Sequence, residues 1–332
     1  MNRTVLLILV TLGCGQPKNN ETDSGDTAGY VSSDWSLLAD EIGNGALLSA
    51  WTDLETTQMV GGDMHGGPGL RVAYDGHALC IEANITERAL WWIHGDRPGR
   101  WVAVGEAGTV LLQEDGARTR LDIDTSATLY GTWVTSNAII AVGGDVSLGT
   151  GEVWRHDGTE WTALSTDLPG VAFKVWEDWI VGSDITYRLE SDNSLTTMGN
   201  AGRLLTVRGD GEITTAVGGV SSSLIMQHDQ DGWTERDSAG LGQPLNGIWT
   251  DAGQDIWIAG NFGTTARLTA DGLEQPDWPV TSHHFHAVWP HAENEFLFVG
   301  GNFMSTGDNF GTIARYGPVS GTTEITEVLP CE

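Results

Sequence analysis

Apolar residues along the chain recur in short blocks that end in or just after a glycine. The blocks occupy residues 59–62, 103–106, 141–144, 180–183, 216–219, 258–261 and 298–301. Their first glycines fall at positions 61, 105, 143, 182, 218, 260 and 300, so successive blocks are 36 to 44 residues apart. A period in this range is typical of repeat architectures, and chance clustering would not keep it so regular. The pattern therefore predicts seven structural repeats.

Two further markers divide each repeat into strands. A large apolar residue, usually tryptophan, precedes each block by about ten residues, at Trp51, Ile93, Trp133, Trp176, Val207, Trp249 and Trp289. An Asp-Gly or Asp-Asn pair follows most blocks, and such pairs supply the positive φ angles that tight hairpins require. These markers predict that each repeat contains an inner strand around the tryptophan, a second strand that ends in glycine, a third strand, a tight turn and an outer strand.

Four antiparallel strands in about 40 residues are typical of a β-propeller blade. We predict an all-β fold, a seven-bladed β-propeller of four-stranded antiparallel blades over residues 31–332. The repeat units are expected at about 46–86, 87–126, 127–170, 171–202, 203–244, 245–283 and 284–329. Helical periodicity is absent, which excludes solenoids of helix pairs, and a parallel β-helix would need shorter coils without Asp-Gly hairpins. Residues 35–38 could add an outer strand to the last blade.

The first thirty residues differ from the repeats. Arg3, an apolar stretch at 5–12, Gly13 and Cys14 are typical of a secretory signal peptide. Residues 15–30 contain almost nothing apolar and predict a flexible acidic tether. Beyond the first dozen residues, no apolar run approaches the roughly 20 residues that a membrane-spanning helix needs.

The end of the signal resembles the lipobox of bacterial lipoproteins, with Thr11 and Leu12 in the places usually held by leucine and a small residue. The resemblance implies that residues 1–13 are removed and that Cys14 is lipidated, with residues 14–30 as the anchored tether. It also implies export and attachment to a bacterial outer membrane or cell surface. A plain signal peptide with a chance cysteine at position 14 is the alternative.

Composition restricts the partners. The chain has 16 Lys and Arg against 45 Asp and Glu, a formal net charge of −29. A hydrophobic content of 40% with 15 Trp excludes disorder for most of the chain. The negative charge repels nucleic acid and anionic membranes, so membrane contact is expected through the lipid anchor only. We expect a monomer that binds a protein or glycan, and the charge favours a basic or cation-assisted partner.

Lipidation of Cys14 would leave two thiols, Cys80 and Cys331. In an oxidising exported compartment, two remaining cysteines are expected to pair. Cys80 falls in the outer strand of the first unit, and Cys331 is expected to follow the outer strand of the seventh. These blades become neighbours when the ring closes, so we predict a Cys80–Cys331 disulfide.

Parts of the repeats resemble known propeller families. Gly143-Gly144 after an apolar strand, followed by Trp154 and Trp161, resembles the kelch repeat. Residues 245–272, LNGIWTDAGQDIWIAGNFGTTARLTADG, resemble the tryptophan-and-glycine propeller repeats of many bacterial surface lipoproteins. The resemblance covers residues 46–329 and implies the fold, but propellers serve many unrelated functions.

Polar residues follow the first glycine in most repeats, directly or one position later. They are Asp63, Glu106, Asp145, Asp184, Asn261 and Asn302. Strand order predicts that they surround one mouth of the central channel. Such a ring of oxygen ligands could hold Ca²⁺ or another hard cation, an amine or sugar hydroxyls. Alternatively, these residues cap turns, as Asp and Asn often do.

A second candidate cluster consists of His283, His284 and His286, expected on the same face. Imidazoles at this spacing could bind Zn²⁺ or Cu²⁺, although no cysteine lies nearby. A loop-edge histidine cluster without metal is the alternative. Trp91, Trp92 and Trp101 depart from the repeat register and could offer a surface for stacking on a sugar.

The chain has no G-x-S-x-G, P-loop, H-E-x-x-H or C-x-x-C motif, and we assign no catalytic residue. The leading hypothesis is a membrane-anchored binding module that acts through its channel mouth, with no resident cofactor assigned. The alternative is a propeller hydrolase or lyase acting on polysaccharide, with Asp63, Asp145 and Asp184 as candidate acid and base.

Overall fold

The computed structural model describes residues 33–209, 213–250, 255–318 and 327–331, which form seven antiparallel sheets. Strand β1 spans Ser33–Ile42. Blade one contains β2 (Ala46–Asp53), β3 (Thr56–Gly62), β4 (Gly69–Tyr74) and β5 (Ala78–Ala83). Blade two contains β6 (Leu90–Arg97), β7 (Arg100–Gly105), the 3₁₀ turn η1 (Glu106–Gly108), β8 (Val110–Glu114) and β9 (Ala117–Arg120). Blade three contains β10 (Thr128–Val134), β11 (Ile139–Asp145), β12 (Thr150–His156) and β13 (Trp161–Pro169).

Blades four to seven repeat this order. Blade four contains β14 (Ala172–Trp176), β15 (Trp179–Gly182), β16 (Ile185–Leu189) and β17 (Leu195–Asn200). Blade five contains β18 (Leu204–Gly209), β19 (Thr214–Gly218), β20 (Leu224–Asp229) and β21 (Gly232–Glu235). Blade six contains β22 (Leu245–Thr250), β23 (Ile256–Gly260), β24 (Thr265–Leu268) and β25 (Leu273–Glu274). Blade seven contains β26 (His284–Ala292), β27 (Glu295–Gly301) and β28 (Gly311–Pro318), and the last strand is β29 (Glu327–Pro330).

The sheets form a closed ring. Each inner strand contacts the inner strand of the next blade, and β26 contacts β2. The second strands are almost wholly buried because every blade packs against two neighbours, as the burial of β3 and β11 illustrates. The fold is therefore the predicted seven-bladed β-propeller.

The repeated glycines are required by close packing against the inner strand. A Cβ atom at Gly61 would collide with the carbonyl oxygen of Ala46, and one at Gly143 would collide with that of Thr128. The first glycines of the other five blocks are equally crowded by the backbone at the start of their inner strands. The sequence period therefore marks the place where two backbones approach too closely for a side chain.

The N-terminal strand completes blade seven. β1 pairs antiparallel with β28, and Trp35 lies opposite Tyr316. The Trp35 ring packs 4.9 Å from Tyr316 and 5.2 Å from Phe298, between ring centroids. The outer strand expected at residues 35–38 is confirmed, and it extends over the ten residues of β1.

The C-terminal strand extends blade one. β29 pairs parallel with β5, with Leu329 opposite Cys80, so this sheet has five strands. Cys80 and Cys331 form a disulfide with their Cα atoms 4.9 Å apart, which confirms the predicted pairing. Cys331 nevertheless follows a strand of blade one, whereas an outer strand of blade seven was expected. The reason is that β1 already occupies the edge of β28, so the last strand of the chain pairs with the edge of β5 instead.

The propeller has two faces, which we name by their loops. The connection face carries the loops between second and third strands and the links between blades, such as residues 63–68. The hairpin face carries the tight turns, such as residues 75–77. β1 runs from the hairpin face at Ser33 to the connection face at Ile42. The predicted signal peptide, Cys14 and the tether lie outside the described residues, and no helix within the described ranges is long and apolar enough to cross a bilayer.

Candidate functional site

A ring of bulged residues lines the central channel near the connection face. Each inner strand breaks register with its second strand at an equivalent residue, namely Leu48, Trp91, Tyr130, Phe173, Leu205, Asn246 and His286. A bulge redirects the side chain of the extra residue. Trp91 and His286 belong to blades two and seven, which are not neighbours, and their ring centroids are 5.8 Å apart. Their contact therefore crosses the channel.

Aromatic rings narrow this mouth. The Trp91 ring meets Tyr130 edge-on at 4.9 Å, and Tyr130 meets Phe173 at 5.4 Å. Sequence reasoning missed this ring of bulged residues. A signal was nevertheless present in the sequence, since each bulged residue directly follows an apolar residue at the start of its inner strand. Trp91, Trp92 and Trp101 do not share one surface. Trp91 lines the mouth, the ring of Trp92 lies 3.9 Å from Lys174 Nζ deeper in the channel, and Trp101 is buried in the core.

The polar residues predicted at the mouth lie in connection-face loops, and the hydrogen bonds of four of them shape those loops. Asp145 Oδ1 accepts from Ser147 N at 2.7 Å, Ser147 Oγ at 2.6 Å and Leu148 N at 3.2 Å. Asn302 Oδ1 accepts from Phe310 N at 2.7 Å. These contacts match the turn-capping alternative.

Asp63 and Asn261 complete this group, while Asp184 is exposed in the bend just before β16. Asp63 Oδ1 accepts from His65 N at 3.0 Å, and Asn261 Oδ1 accepts from Asn246 Nδ2 at 2.9 Å. No group of three or more His, Cys, Asp or Glu suited to a metal ion occurs among the described residues. The carboxylates of the predicted ring therefore form no such group among these residues, and the ring as a site for an amine or sugar hydroxyls stays a prediction.

Glu106 has a different environment. It is half-buried in η1. Burial raises the pKa of Glu106, the charge of Arg88 opposes that rise, and the charge of Asp63 adds to it. In contrast, hydrogen bonds from Ser147 and Leu148 hold the pKa of Asp145 below its usual value. The channel mouth thus contains carboxyl groups with opposite tendencies to hold a proton.

A polar cleft of 640 Å³ opens on the connection face between blades one and seven. Its walls include Asp63, His65, Asn84 and Asp308. His65 Nε2 lies 3.2 Å from the carbonyl oxygen of Ser305, so the two blades are joined across the cleft.

The three candidate histidines serve separate contacts. His283 packs edge-on against Phe310 at 4.7 Å, and His284 Nδ1 accepts from Phe262 N at 3.3 Å. His286 Nδ1 contacts the carbonyl oxygen of Leu48. Burial lowers the pKa of His286 to about 3, and the nearby charge of Lys174 adds to this effect, so the ring is neutral at pH 7. The arrangement gives no support to a shared zinc site.

Tryptophans at the ends of the inner strands surround an arginine near the hairpin face. Arg208 Cζ lies 3.0 Å from the ring centroid of Trp249, 3.6 Å from that of Trp176 and 4.9 Å from that of Trp289. Blades four, five, six and seven supply these residues, so the guanidinium lies in the channel. We call this cluster the Trp cage. Sequence reasoning used these tryptophans only as markers of the repeats and missed Arg208, which directly follows the non-aromatic marker Val207.

Comparisons with known proteins identify the fold alone. No family model and no curated protein matches the chain. The solved structure of YCF48 bound to D1 peptide is 13% identical, with a TM-score of 0.65, over 85% of this chain and 96% of that one. A streptogramin B lyase structure is 12% identical, with a TM-score of 0.67, over 86% and 98%.

A third solved structure is the extracellular domain of the one-component system BT4673 from B. thetaiotaomicron. It is 10% identical, with a TM-score of 0.60, over 84% of this chain and 40% of that one. These proteins include a peptide complex and an enzyme, so their shared architecture identifies no activity. The chain is similar to all three in its β-propeller fold.

Proposed function

We propose that this protein is an exported interaction module that binds a polypeptide on its connection face. The observation that carries the proposal is the set of exposed apolar side chains on that face. Ten large apolar side chains are exposed among the described residues, and six of them lie in connection-face loops or links: Val146, Leu148, Val220, Phe262, Trp278 and Met304. Exposed apolar groups gathered on one side of a protein are typical of interaction surfaces.

The charge around these groups favours a basic partner. The carboxylates of Asp63, Asp184 and Asp308 lie on the same face, in a chain of net charge −29. Acidic groups interspersed with apolar ones complement a segment that carries Lys or Arg beside apolar residues. A propeller of similar fold has been solved with a bound peptide, which supports a polypeptide as the class of partner.

The proposal includes attachment through lipidated Cys14, with the propeller held as a monomer at an outer membrane or cell surface. β1 begins at Ser33 on the hairpin face, so the tether would join the propeller there. The stretch from Cys14 to Ser33 can span roughly 60 Å when extended. The connection face would then point away from the membrane, where a partner can reach it.

The polysaccharide hydrolase or lyase remains the second candidate, in altered form. Hydrogen bonds lower the pKa of Asp145, which makes this residue a poor general acid. Glu106 fits that role better, since burial raises its pKa and the charge of Asp63 raises it further. Turnover of a polysaccharide by the wild type, lost in Glu106→Gln, would favour the enzyme.

The test of the binding proposal uses full-length mature protein with Cys14→Ser. An array of 15-residue peptides that vary in Lys and Arg content and in apolar content is probed with this protein. We expect binding to peptides that combine both features, and at least a tenfold loss of affinity in Val220→Ser/Phe262→Ser. The control is Leu54→Ser, which removes an equally exposed leucine from the hairpin face. Failure of all basic apolar peptides to bind, or an equal loss in the control, would refute the proposal.

A further inference from the structure

Arg208 is a buried arginine for whose guanidinium the described part of the chain provides no hydrogen-bonding partner. Arg208 is 7% exposed, and no hydrogen bond or ion pair to its guanidinium occurs within the described ranges. Arginine stays protonated at neutral pH, and burial of an unpaired charge is costly. Glu177 acts on Arg208 only through its charge and is itself exposed.

The channel also contains a buried lysine. Lys174 is 3% exposed, donates to the carbonyl oxygen of Tyr130 at 2.6 Å, and lies between Tyr130 and the ring of Trp92. The seven inner strands contain two carboxylates, Asp53 and Asp96, and both are at hairpin-face ends.

Both of these carboxylates have other partners. Asp53 accepts from Gly99 N at 2.9 Å, and Asp96 accepts from Arg100 Nη1 at 2.8 Å. An acidic protein thus encloses two basic side chains, Arg208 and Lys174, that pair with no carboxylate of the inner strands.

The tryptophans of the Trp cage do not use up the donors of Arg208, because an indole side chain has a hydrogen-bond donor but no acceptor. Cζ lies 3.0 and 3.6 Å from the ring centroids of Trp249 and Trp176, and the planes of these two rings are inclined by 77°, so at most one of them can stack flat on the guanidinium. The five N–H donors lie in the guanidinium plane, and they match a carboxylate in a two-point contact. Aromatic stacking and carboxylate binding can therefore occur together.

A cleft adjoins one member of the Trp cage. Trp176 and Trp249 are both partly exposed. Trp249 also lines a cleft of 350 Å³ on the hairpin face, together with Pro290, Phe296 and Tyr316. Arg267, Glu293 and Asn294 also line this cleft, so its walls are of mixed polarity. The apolar surface nearest to Arg208 is therefore that of the Trp cage itself.

We infer that the hairpin-face mouth of the channel binds a carboxylate with an apolar body, held at Arg208 within the Trp cage. The carboxylate belongs either to a free organic acid or to the C-terminus of a polypeptide. This site lies at the opposite end of the channel from the connection face and does not depend on the partner proposed there.

Calorimetric titration and tryptophan fluorescence of full-length mature protein with Cys14→Ser test the site. The probes are cyclohexanecarboxylate and cyclohexanecarboxamide, which lack absorbance at 280 nm, and the peptide acetyl-Ala-Ala-Leu with a free or an amidated C-terminus. We expect saturable binding and a change in tryptophan emission with both acids and with neither amide. Tighter binding of the peptide acid would identify a polypeptide C-terminus as the ligand, and tighter binding of the small acid a free organic acid.

Arg208→Met should weaken binding of the acids at least tenfold. The matched control is Arg203→Met, which removes an exposed arginine from the connection-face end of the same blade, where it lies over Phe173. Circular dichroism verifies folding, and Arg208→Gln serves as a second variant if Arg208→Met does not fold. Absence of saturable binding, equal binding of acid and amide, or wild-type affinity in a folded Arg208 variant would overturn the inference.

Discussion

The carboxylate of Asp157 accepts three hydrogen bonds in the turn between β12 and β13. The donors are Thr159 N at 2.9 Å, Thr159 Oγ1 at 2.6 Å and Glu160 N at 3.1 Å. These bonds hold the pKa of Asp157 well below its usual range. Because the folded-state pKa is depressed, the group stabilises the fold above the unfolded-state pKa of about 3.9, and this contribution is lost as the pH falls toward the folded-state pKa.

Asp157→Asn should therefore lower the urea midpoint of unfolding at pH 6, because hydrogen bonds to an ionised acceptor are the stronger ones. The difference in urea midpoint between the variant and the wild type should become smaller as the pH falls from 6 to 3. Asp115→Asn is the matched control, since Asp115 occupies the equivalent turn of blade two and no hydrogen bond to its carboxylate is found in the described part of the chain. An unchanged gap at pH 3 would contradict the assignment.

Residue type alone could not separate ligands from turn caps. Asp145 and Asn302 have oxygens suited both to hard cations and to backbone N–H groups, and only the side-chain geometry shows that they cap turns. Arg208 escaped prediction for a related reason. Its importance comes from tryptophans of three other blades, which lie far from it in sequence.

Among the elements, β1 stabilises blade seven through Trp35, whose ring packs on Phe298, Tyr316 and Trp257. Trp35→Ala should reduce the free energy of unfolding by about 2–3 kcal/mol, somewhat less than for a fully buried aromatic side chain because Trp35 is partly exposed. Urea denaturation measures the loss. Trp278→Ala is the control, since Trp278 is 84% exposed, and its change should stay within about 0.5 kcal/mol. An equal loss of unfolding free energy in Trp35→Ala and Trp278→Ala would show that Trp35 does not stabilise the packing of β1 on blade seven.

The repeat period was sufficient to predict the inner and second strands, because the glycine contacts and the tryptophan positions recur in each blade. The first and last strands of the fold were harder to predict from the sequence. β29 contains no glycine block and pairs in parallel outside the blade pattern, so the period gave no signal for it. The expected disulfide was nevertheless right, since closure of the ring was predicted to bring the end of the chain close to blade one, where Cys80 lies.

At the scale of the whole molecule, the ring is fastened by two independent connections. β1 joins β28, and β29 joins β5 next to the Cys80–Cys331 disulfide. The disulfide closes a segment with a sequence separation of 251 residues. The loss of chain entropy in the unfolded state alone would stabilise the fold by roughly 5 kcal/mol for a loop of this size. Measured stabilisation by a disulfide is commonly about 2–4 kcal/mol.

Cys80→Ser/Cys331→Ser in the Cys14→Ser background should therefore lower the free energy of unfolding by about 2–4 kcal/mol. Amide hydrogen exchange should become faster in β29, while β28 stays protected because β1 still covers its edge. The Cys14→Ser protein is the reference. Simultaneous loss of protection in β28 and β29 would show that the two connections are not independent.

The direction of β1 determines how the protein would respond to mechanical load. If Cys14 is anchored and a partner is held on the connection face, tension enters at Ser33 and acts along the length of β1. The hydrogen bonds between β1 and β28 run across that direction, so they would be loaded in shear and would resist together. A force that peeled Ser33 away from the edge of β28 would instead break the hydrogen bonds between β1 and β28 one at a time. An anchor at the hairpin face would therefore load these two strands in the geometry that best resists their separation.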